Sequence, residues 1–261
     1  QSKFENYSLE FDGSSEYVDL TQHDLGTTNT ISLWLNISSI TSDQTVFGEP
    51  SNAFKQSVII SSNIIYIKDV SNDFKGWNLS TSSEFSLNNW HHFGIVRSGS
   101  TVTFYIDGVD QGSPDTSSGG FTGNTQLRYL CTNYPTNTQF VNGKISHVSL
   151  FDSTLLSAQI TALYNSGTPV NPMALTPLPV AYYPLGGGST GSAKDQSPNP
   201  NTLTVPNESV PSATVFDFDA SDSDYIDCGN DSSLYFSETI SVSCWFKSST
   251  GNGTIISKGQ Y

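Results

Sequence analysis

The sequence predicts an all-β chain: an antiparallel jelly-roll β-sandwich with one short C-terminal helix, followed by an incomplete second copy. Three observations predict it. Apolar and polar residues alternate with a period of two through many short, turn-bounded stretches. Only 13% of the residues are charged, and Ser, Thr, Asn and Gly supply the polar surface, which suits strands and turns better than surface helices. The chain also resembles itself at an offset of 207 to 211 residues.

The clearest signal is Trp90-His91-His92-Phe93-Gly94-Ile95-Val96-Arg97, then Ser98-Gly99-Ser100, then Thr101-Val102-Thr103-Phe104-Tyr105-Ile106. It reads as a hairpin, with Asp107-Gly108 opening the next turn because both residues tolerate left-handed backbone. Before it, Tyr7–Phe11 and Tyr17–Leu20 alternate as short strands. Thr30–Asn36 places Ile31, Leu33 and Leu35 on one face and Trp34 on the other. Thr45–Phe47 follows, then a hairpin of Ser57–Ile60 and Asn63–Ile67, then a weaker strand from Phe74 to Leu79 containing Trp77. Beyond the central hairpin come Leu127–Cys131 and Gly143–Phe151, the latter alternating over nine positions.

After Phe151 the period changes. Ile160, Leu163 and Tyr164 share a helical face, Ser157 is a suitable N-cap and Gly167 a suitable stop, which predicts one helix over 158–165. Residues 1–168 thus form a complete sandwich. The proline-rich stretch 169–179 reads as a stiff linker. Residues 180–261 read as the start of a second copy, opening with Val180-Ala181-Tyr182-Tyr183-Pro184-Leu185. There Val215–Ala220 repeats Ser8–Gly13, Asp224–Asp227 repeats Glu16–Asp19, and Ile240–Lys247 repeats Asn29–Asn36. Nothing in 180–261 repeats the Trp-His-His strand, so the second copy reads as cut off, and the numbered chain as part of a longer one. Gln1 is no initiator, and no signal peptide is visible.

Composition excludes several functions. The net charge of -14, from 24 acidic and 10 basic residues, repels phosphate backbones and anionic membranes, so nucleic-acid binding is not expected. No run of about 18 apolar residues is present, so no membrane insertion is expected. Cations and neutral sugars are compatible partners. Three cysteines make no disulfide framework; Cys228 and Cys244 stand where the first copy has Leu20 and Leu33, and read as small core residues, with a Cys228–Cys244 bridge as the alternative.

The ordered set Leu9-Glu10-Phe11-Asp12-Gly13, Tyr17-Val18, Ile31-Ser32-Leu33-Trp34-Leu35, Asn89-Trp90-His91-His92, Phe104-Tyr105-Ile106-Asp107-Gly108, Asn142-Gly143-Lys144-Ile145 and Leu156–Gly167 resembles the laminin-G-like (concanavalin A-like) jelly-roll domains, in the branch related to pentraxins. The resemblance covers residues 5–168. It implies two face-to-face antiparallel sheets serving as a binding or spacer module on extracellular or viral surface proteins. Tandem copies in an acidic, Ser/Thr/Asn-rich chain look most like a phage or virus fibre or capsid-decorating protein. Its partners would be other structural subunits, further copies of the domain, or a host glycan or surface protein, and its place the virion surface or the extracellular space. An extracellular adhesin or carbohydrate-binding module of a bacterium or eukaryote is the alternative.

Enzymatic relatives with this fold pair carboxylates along one strand, in the form Glu-x-Asp-x-x-Glu, which this chain lacks. A glycan-active enzyme is therefore the weak alternative, and no catalytic residue is assigned. His91 and His92 are adjacent on a strand, point to opposite faces and cannot share one site, so they read as architecture. Calcium is implied by the resemblance through Asp12 in the Phe-Asp-Gly turn. The acid expected near Lys144-Ile145 is replaced by Ser146-His147, so Asp12 also reads as a simple turn residue. The acidic run from Asp217 fails an EF-hand, having Asp222 where Gly is required and Cys228 where Glu is required. For sugar binding the candidates are Trp77, Tyr66 and Tyr134, aromatics in or near loops that suit stacking on a sugar ring or packing into the core. Asn-x-Ser/Thr sequons occur at Asn6, Asn36, Asn78, Asn207, Asn230 and Asn252, and matter only in a secretory pathway.

Overall fold

The structure, a computed structural model, describes residues 8–49, 56–133 and 138–185. They lie in the first of the chain's two units, Gln1–Val215. The second-copy readings beyond Leu185, with Cys228, Cys244 and the acidic run, lie outside the described residues, as does Tyr134.

Alternation becomes fourteen strands in the described residues: β1 Leu9–Asp12, β2 Val18–Asp24, β3 Thr28–Ile37, β4 Gln44–Gly48, β5 Gln56–Ser61, β6 Ile64–Lys68, β7 Phe74–Asn78, β8 His91–Ser98, β9 Thr101–Ile106, β10 Val109–Asp110, β11 Thr116–Ser118, β12 Gln126–Leu130, β13 Asn142–Phe151 and β14 Ala181–Tyr183. One sheet runs β1-β13-β3-β8-β9-β10, with β14 also on β13; the other runs β11-β7-β6-β5-β4-β12-β2. All pairings are antiparallel. The predicted hairpins are present, and their turns follow residue chemistry. Ser62 and Asn63 both take positive φ (51° and 68°) between β5 and β6, as do Asp107 and Gly108 (51° and 80°) between β9 and β10. Such turns match the right-handed strand twist.

The core lies between the sheets. Ile31, Leu33 and Leu35 of β3, with Phe93 and Ile95 of β8 and Phe104 of β9, face Val58, Ile60, Ile65, Ile67 and Trp77 of the other sheet. Each fully buried Leu, Ile or Phe contributes about 1.5–3 kcal/mol. The outer face of the first sheet is not left wet. Helix α1, Ser157–Tyr164, lays Ile160 and Leu163 on Val96, Tyr105 and Phe151. Gly94 makes this possible, because a Cβ there would stand 3.0 Å from Ile160 Cγ2. Gly143 serves β13 likewise, since a Cβ would fall 2.2 Å from the Asn36 carbonyl oxygen.

Three sequence expectations are corrected. Trp90 precedes β8 instead of belonging to it, and is 38% exposed. The helix begins one residue early: Ser157 is its first helical residue, and Leu156 stands at the cap, its N–H donating to Gln159 Oε1 (2.6 Å). Asn165 supplies the left-handed stop ahead of Gly167. Strict alternation through β13 also fails. Three residues, Ser146 to Ser149, advance against two of β3, Trp34 to Ser32, and His147 takes φ 50°. This bulge puts Ile145, Val148 and Leu150 together in the core, and turns Phe151 outward to the helix.

The same strand carries the edge of the sheet. β1 pairs with Asn142–Ile145, and β14 pairs with Val148–Leu150. Residues 180–185, read from sequence as the opening of the second copy, thus sit on the first sandwich: Val180 N–H donates to Leu150 O (2.8 Å) and His147 N–H to Pro184 O (3.0 Å). Tyr183 is fully buried and crosses to the other sheet, where its hydroxyl donates to Leu20 O (3.1 Å) and lies 3.0 Å from His23 Nε2.

At one end, wholly buried Arg97 organises the loops. Its Nε donates to Gly99 O, Nη1 to Thr125 Oγ1, and Nη2 to the carbonyls of Phe121 and Gly123, while the guanidinium lies 4.2 Å from the Phe121 ring centroid. Asp69 and Asp73 take the N–H groups of Gly123 and Phe121 from the other side. A lysine has no such planar fork. Arg97→Met should lower unfolding free energy by about 3 kcal/mol, because carbonyls arranged for a cation lose it, and Arg97→Lys should recover only part. Urea unfolding checks both.

Burial pushes His92 down to about 4, with Asp107 opposing weakly, and burial alone pushes His147 down to about 4. Between those values and the ordinary 6.5 the unfolded chain binds more protons than the folded one. The stability from neutral burial is therefore complete above pH 6.5 and lost as pH falls toward 4. Each histidine accounts for about 3 kcal/mol across that window. Urea midpoints measured from pH 7 to pH 4 should fall steadily, and the slope should flatten in His92→Gln.

Candidate functional site

The central hairpin holds the most conspicuous polar cluster. Asp107, held in its left-handed turn, takes the His92 N–H on Oδ1 (2.8 Å) and His91 Nδ1 on Oδ2 (2.8 Å). His91 Nε2 then meets the Ser86 N–H and hydroxyl, both at 3.1 Å. Serine, histidine and aspartate thus stand in the order of a hydrolase relay. However, the single lone pair of Nε2 is shared with the serine's own main-chain N–H, which makes this a staple on the 86–91 loop rather than an activated nucleophile. His92 points the other way, 2.8 Å from Ser32 Oγ and packed beside Trp34 and Tyr164 under the helix. The two histidines do not share a site.

A cleft of about 130 Å³ opens at the side of the sandwich where β9 and β10 approach β7. Trp77, Leu79, Phe104 and Ile106 line its floor, and Asn78, Thr81, Ser82, Gln111 and Asp115 its polar wall. Pairing on the inner face sends Trp77 inward, against Phe104 at 5.3 Å, with Nε1 donating to Gly112 O (3.1 Å). The wall is braced by its own hydrogen bonds. Asp115 Oδ2 accepts the Asn78 N–H (2.7 Å), Ser82 Oγ donates to Gln111 Oε1 (2.8 Å), and Asn78 Oδ1 accepts the Ser80 N–H (3.0 Å). The cleft thus presents amide, hydroxyl and carboxylate groups beside a small apolar floor.

Of the three aromatic candidates, only Trp77 lines this cleft, and at 4% exposure it is floor rather than open stacking platform. Tyr66 faces outward on β6, opposite Gly76, with its ring 5.3 Å from Phe74. Tyr134 lies outside the described residues. The cleft wall escaped sequence reading because Thr81, Ser82, Gln111 and Asp115 are ordinary turn residues, and only the pairing of β7 with β11 and of β9 with β10 brings them together. Cys131 is free and buried, and burial pushes its thiol well up, out of nucleophilic range.

Asp12 fits a calcium site poorly. Both carboxylate oxygens take the Ser14 hydroxyl, and Oδ1 also takes the Ser14 N–H (2.8 Å). These hydrogen bonds hold the exposed carboxyl below its ordinary value. Glu16 Oε2 accepts the Asp12 N–H (3.0 Å), so the turn offers two carboxylates, whereas calcium takes six to eight oxygens. Among the described residues no three His, Cys, Asp or Glu side chains are grouped to hold a metal. Thermal unfolding with calcium and with chelator tests the ion expected from the resemblance: a rim site at Asp12 would raise the unfolding temperature in calcium, and an unchanged curve would remove it.

Comparison with known proteins fits this geometry. Residues 12–161 match the family model of the concanavalin A-like lectin/glucanases superfamily, laminin G type. No curated protein matches the chain in sequence. Among solved structures, a candidate carbohydrate-binding protein from Bacteroides ovatus superposes with a TM-score of 0.51 at 13% identity, covering 74% of this chain. The chain spans 57% of that protein's length. A pentraxin from Limulus polyphemus gives 0.43 at 12% identity (60% of this chain, 80% of that one). Domain 4 of an extracellular arabinanase from Geobacillus stearothermophilus, solved with arabinotriose, gives 0.44 at 18% identity (60% and 76%). Among the described residues no helix is long and apolar enough to cross a membrane. With the family model matched over residues 12–161, and two antiparallel sheets and one short α-helix among the described residues, the chain belongs to the concanavalin A-like lectin/glucanases superfamily.

Proposed function

We propose that this chain is a non-enzymatic glycan-binding module of a surface-displayed adhesion protein, and that the Trp77–Asp115 cleft receives a terminal sugar residue. The observation that carries the reading is the cleft itself: a polar wall of Asn78, Thr81, Ser82, Gln111 and Asp115 above an apolar floor. Its volume of about 130 Å³ suits one ring rather than a polysaccharide chain. Membership of a lectin/glucanases superfamily is compatible with binding and with catalysis, and the pinning of the Ser86–His91–Asp107 row into a loop supports binding. The net charge of -14 supports a neutral ligand over an anionic one. Carriage on a phage or virus fibre follows from the tandem resemblance in an acidic chain; carriage on a cell surface is the other reading, and the flanking reading frame separates them.

A glycan array probed with the whole chain should identify neutral saccharides. Gln111→Ala and Thr81→Val should each weaken binding of the best hit about tenfold, equivalent to about 1.4 kcal/mol, with a small fall in the unfolding temperature because each also removes a brace of the wall. Unchanged affinity in both variants would move the site elsewhere. Hydrolysis of the bound glycan, abolished by one Asp or Glu substitution, would overturn the non-enzymatic reading.

A further inference from the structure

The polar groups lining the cleft are not equally free. Ser82 Oγ donates to Gln111 Oε1 (2.8 Å) and accepts the Glu84 N–H (3.3 Å). Gln111 Nε2 donates to Val109 O (3.0 Å) and to Glu84 Oε2 (3.3 Å). The Thr81 hydroxyl donates to Asn78 O (3.0 Å), and Trp77 Nε1 to Gly112 O (3.1 Å). Asn78 Oδ1 accepts the Ser80 N–H (3.0 Å) and hydroxyl (2.7 Å). All of these bonds hold the cleft in shape. They leave the Asn78 amide nitrogen, Nδ2, and one oxygen of Asp115, Oδ1, with no hydrogen bond among the described residues. The two residues are joined, because Asp115 Oδ2 accepts the Asn78 N–H (2.7 Å). A free donor and a free acceptor thus stand together where β7 ends and β11 is about to begin.

Asp115 is also the one charged side chain among the lining residues. Two further carboxylates brace the neighbouring turns: Glu84 accepts from Gln111, and Asp110 Oδ1 accepts the Gly112 N–H (2.8 Å). Among the described residues none of the three makes an ion pair, and no lysine or arginine lines the cleft. A carboxylate oxygen can only accept. It takes a hydroxyl or an amine, and it meets a carboxylate or sulfate with lone pairs against lone pairs and like charge against like charge. The amide nitrogen beside it can only donate, and suits the oxygen of a neighbouring hydroxyl.

We propose that Asp115 is the specificity-determining residue of the cleft: with Asn78 it takes two adjacent hydroxyls of a terminal neutral sugar, one donating to Asp115 Oδ1 and the other accepting from Asn78 Nδ2, and it shuts out sugar acids. The proposal rests on the reading of the cleft as a sugar site and assigns its selectivity to one atom. Glu84 and Asp110 do not line the cleft, and they shape it without choosing the ligand. A repulsive contact of this kind discriminates by penalising the wrong partner, beyond what attraction to the right one supplies.

The test uses the whole chain and matched probes: the methyl glycosides of galactose, glucose and mannose, and those of the corresponding uronic acids. Each acid differs from its partner only by a carboxylate in place of a hydroxymethyl group. Calorimetric titration at neutral pH should show at least one neutral glycoside bound about tenfold more tightly than its acid. Asp115→Asn keeps an amide oxygen to accept the Asn78 N–H and turns the free acceptor into a donor. It should leave the unfolding temperature unchanged and narrow the gap to about twofold, weakening the neutral glycoside and strengthening the acid. Glu84→Gln and Asp110→Asn should leave the gap as it is. An unchanged gap in Asp115→Asn, or an equal narrowing in Glu84→Gln or Asp110→Asn, would overturn the proposal. If neutral binding is nonetheless weakened by Gln111→Ala, the cleft keeps its role as a sugar site and only the assignment to Asp115 falls. Absence of binding by all of these glycosides and by every saccharide on the array would overturn both.

Discussion

The structure depends most on one irregularity, the bulge at His147 in β13. This ten-residue strand pairs along one edge with β3 and along the other with β1 and β14 in turn. A side-chain period of two cannot serve both halves. With strict alternation from Ile145, the residues Val148 and Leu150 would face away from the core. The extra residue reverses the parity, so both halves bury their aliphatic side chains, and Phe151 turns out to meet the helix. The bulge also marks where β1 ends and β14 begins. The His147 N–H, freed from the ladder with β3, goes to Pro184 O. One residue thus sets the core of the first sheet, the seat of α1 and the position of the closing strand.

That constraint explains what could be read from the sequence and what could not. β3, β8 and β9 were legible because each keeps one uninterrupted parity, and Ile31, Leu33, Leu35, Phe93 and Ile95 fall where alternation puts them. Turns at Ser62-Asn63 and Asp107-Gly108 were legible because few residues accept positive φ. β13 looked equally regular, since Ser146, His147 and Ser149 carry no pattern that distinguishes a bulge from a strand. Nor does Val180–Leu185 announce that it pairs with residues 148–150, because sheet partners this distant leave no local trace. Arg97 was invisible for the same reason: three of its four acceptors, on Phe121, Gly123 and Thr125, come from a loop that only the closed sandwich brings near.

The two long sides of the sandwich have different fates. On one, the buried Tyr183 stitches the sheets together through its hydroxyl. On the other, Trp77 and Phe104 meet but the turns above them stand apart, leaving a polar-walled cleft. The histidines that look most chemical in the sequence belong to neither side. Asp107 uses one carboxylate to hold both, His91 toward a loop and the His92 main chain in register, and the helix buries the second imidazole. Asp107, Gly94 and Gly143 each answer a backbone requirement: a left-handed turn, a helix packed on the strand, and a neighbouring strand close by.

Hydrogen exchange on the full chain, followed residue by residue, tests the role of β13 most directly. The amides that pair β13 with β14 should share the slow, global exchange of the β3–β8 ladder, because the closing strand is part of the core. Fast exchange at Tyr182 and Tyr183 beside a protected β3–β8 ladder would contradict the account, and would mean that the sandwich is complete without that strand.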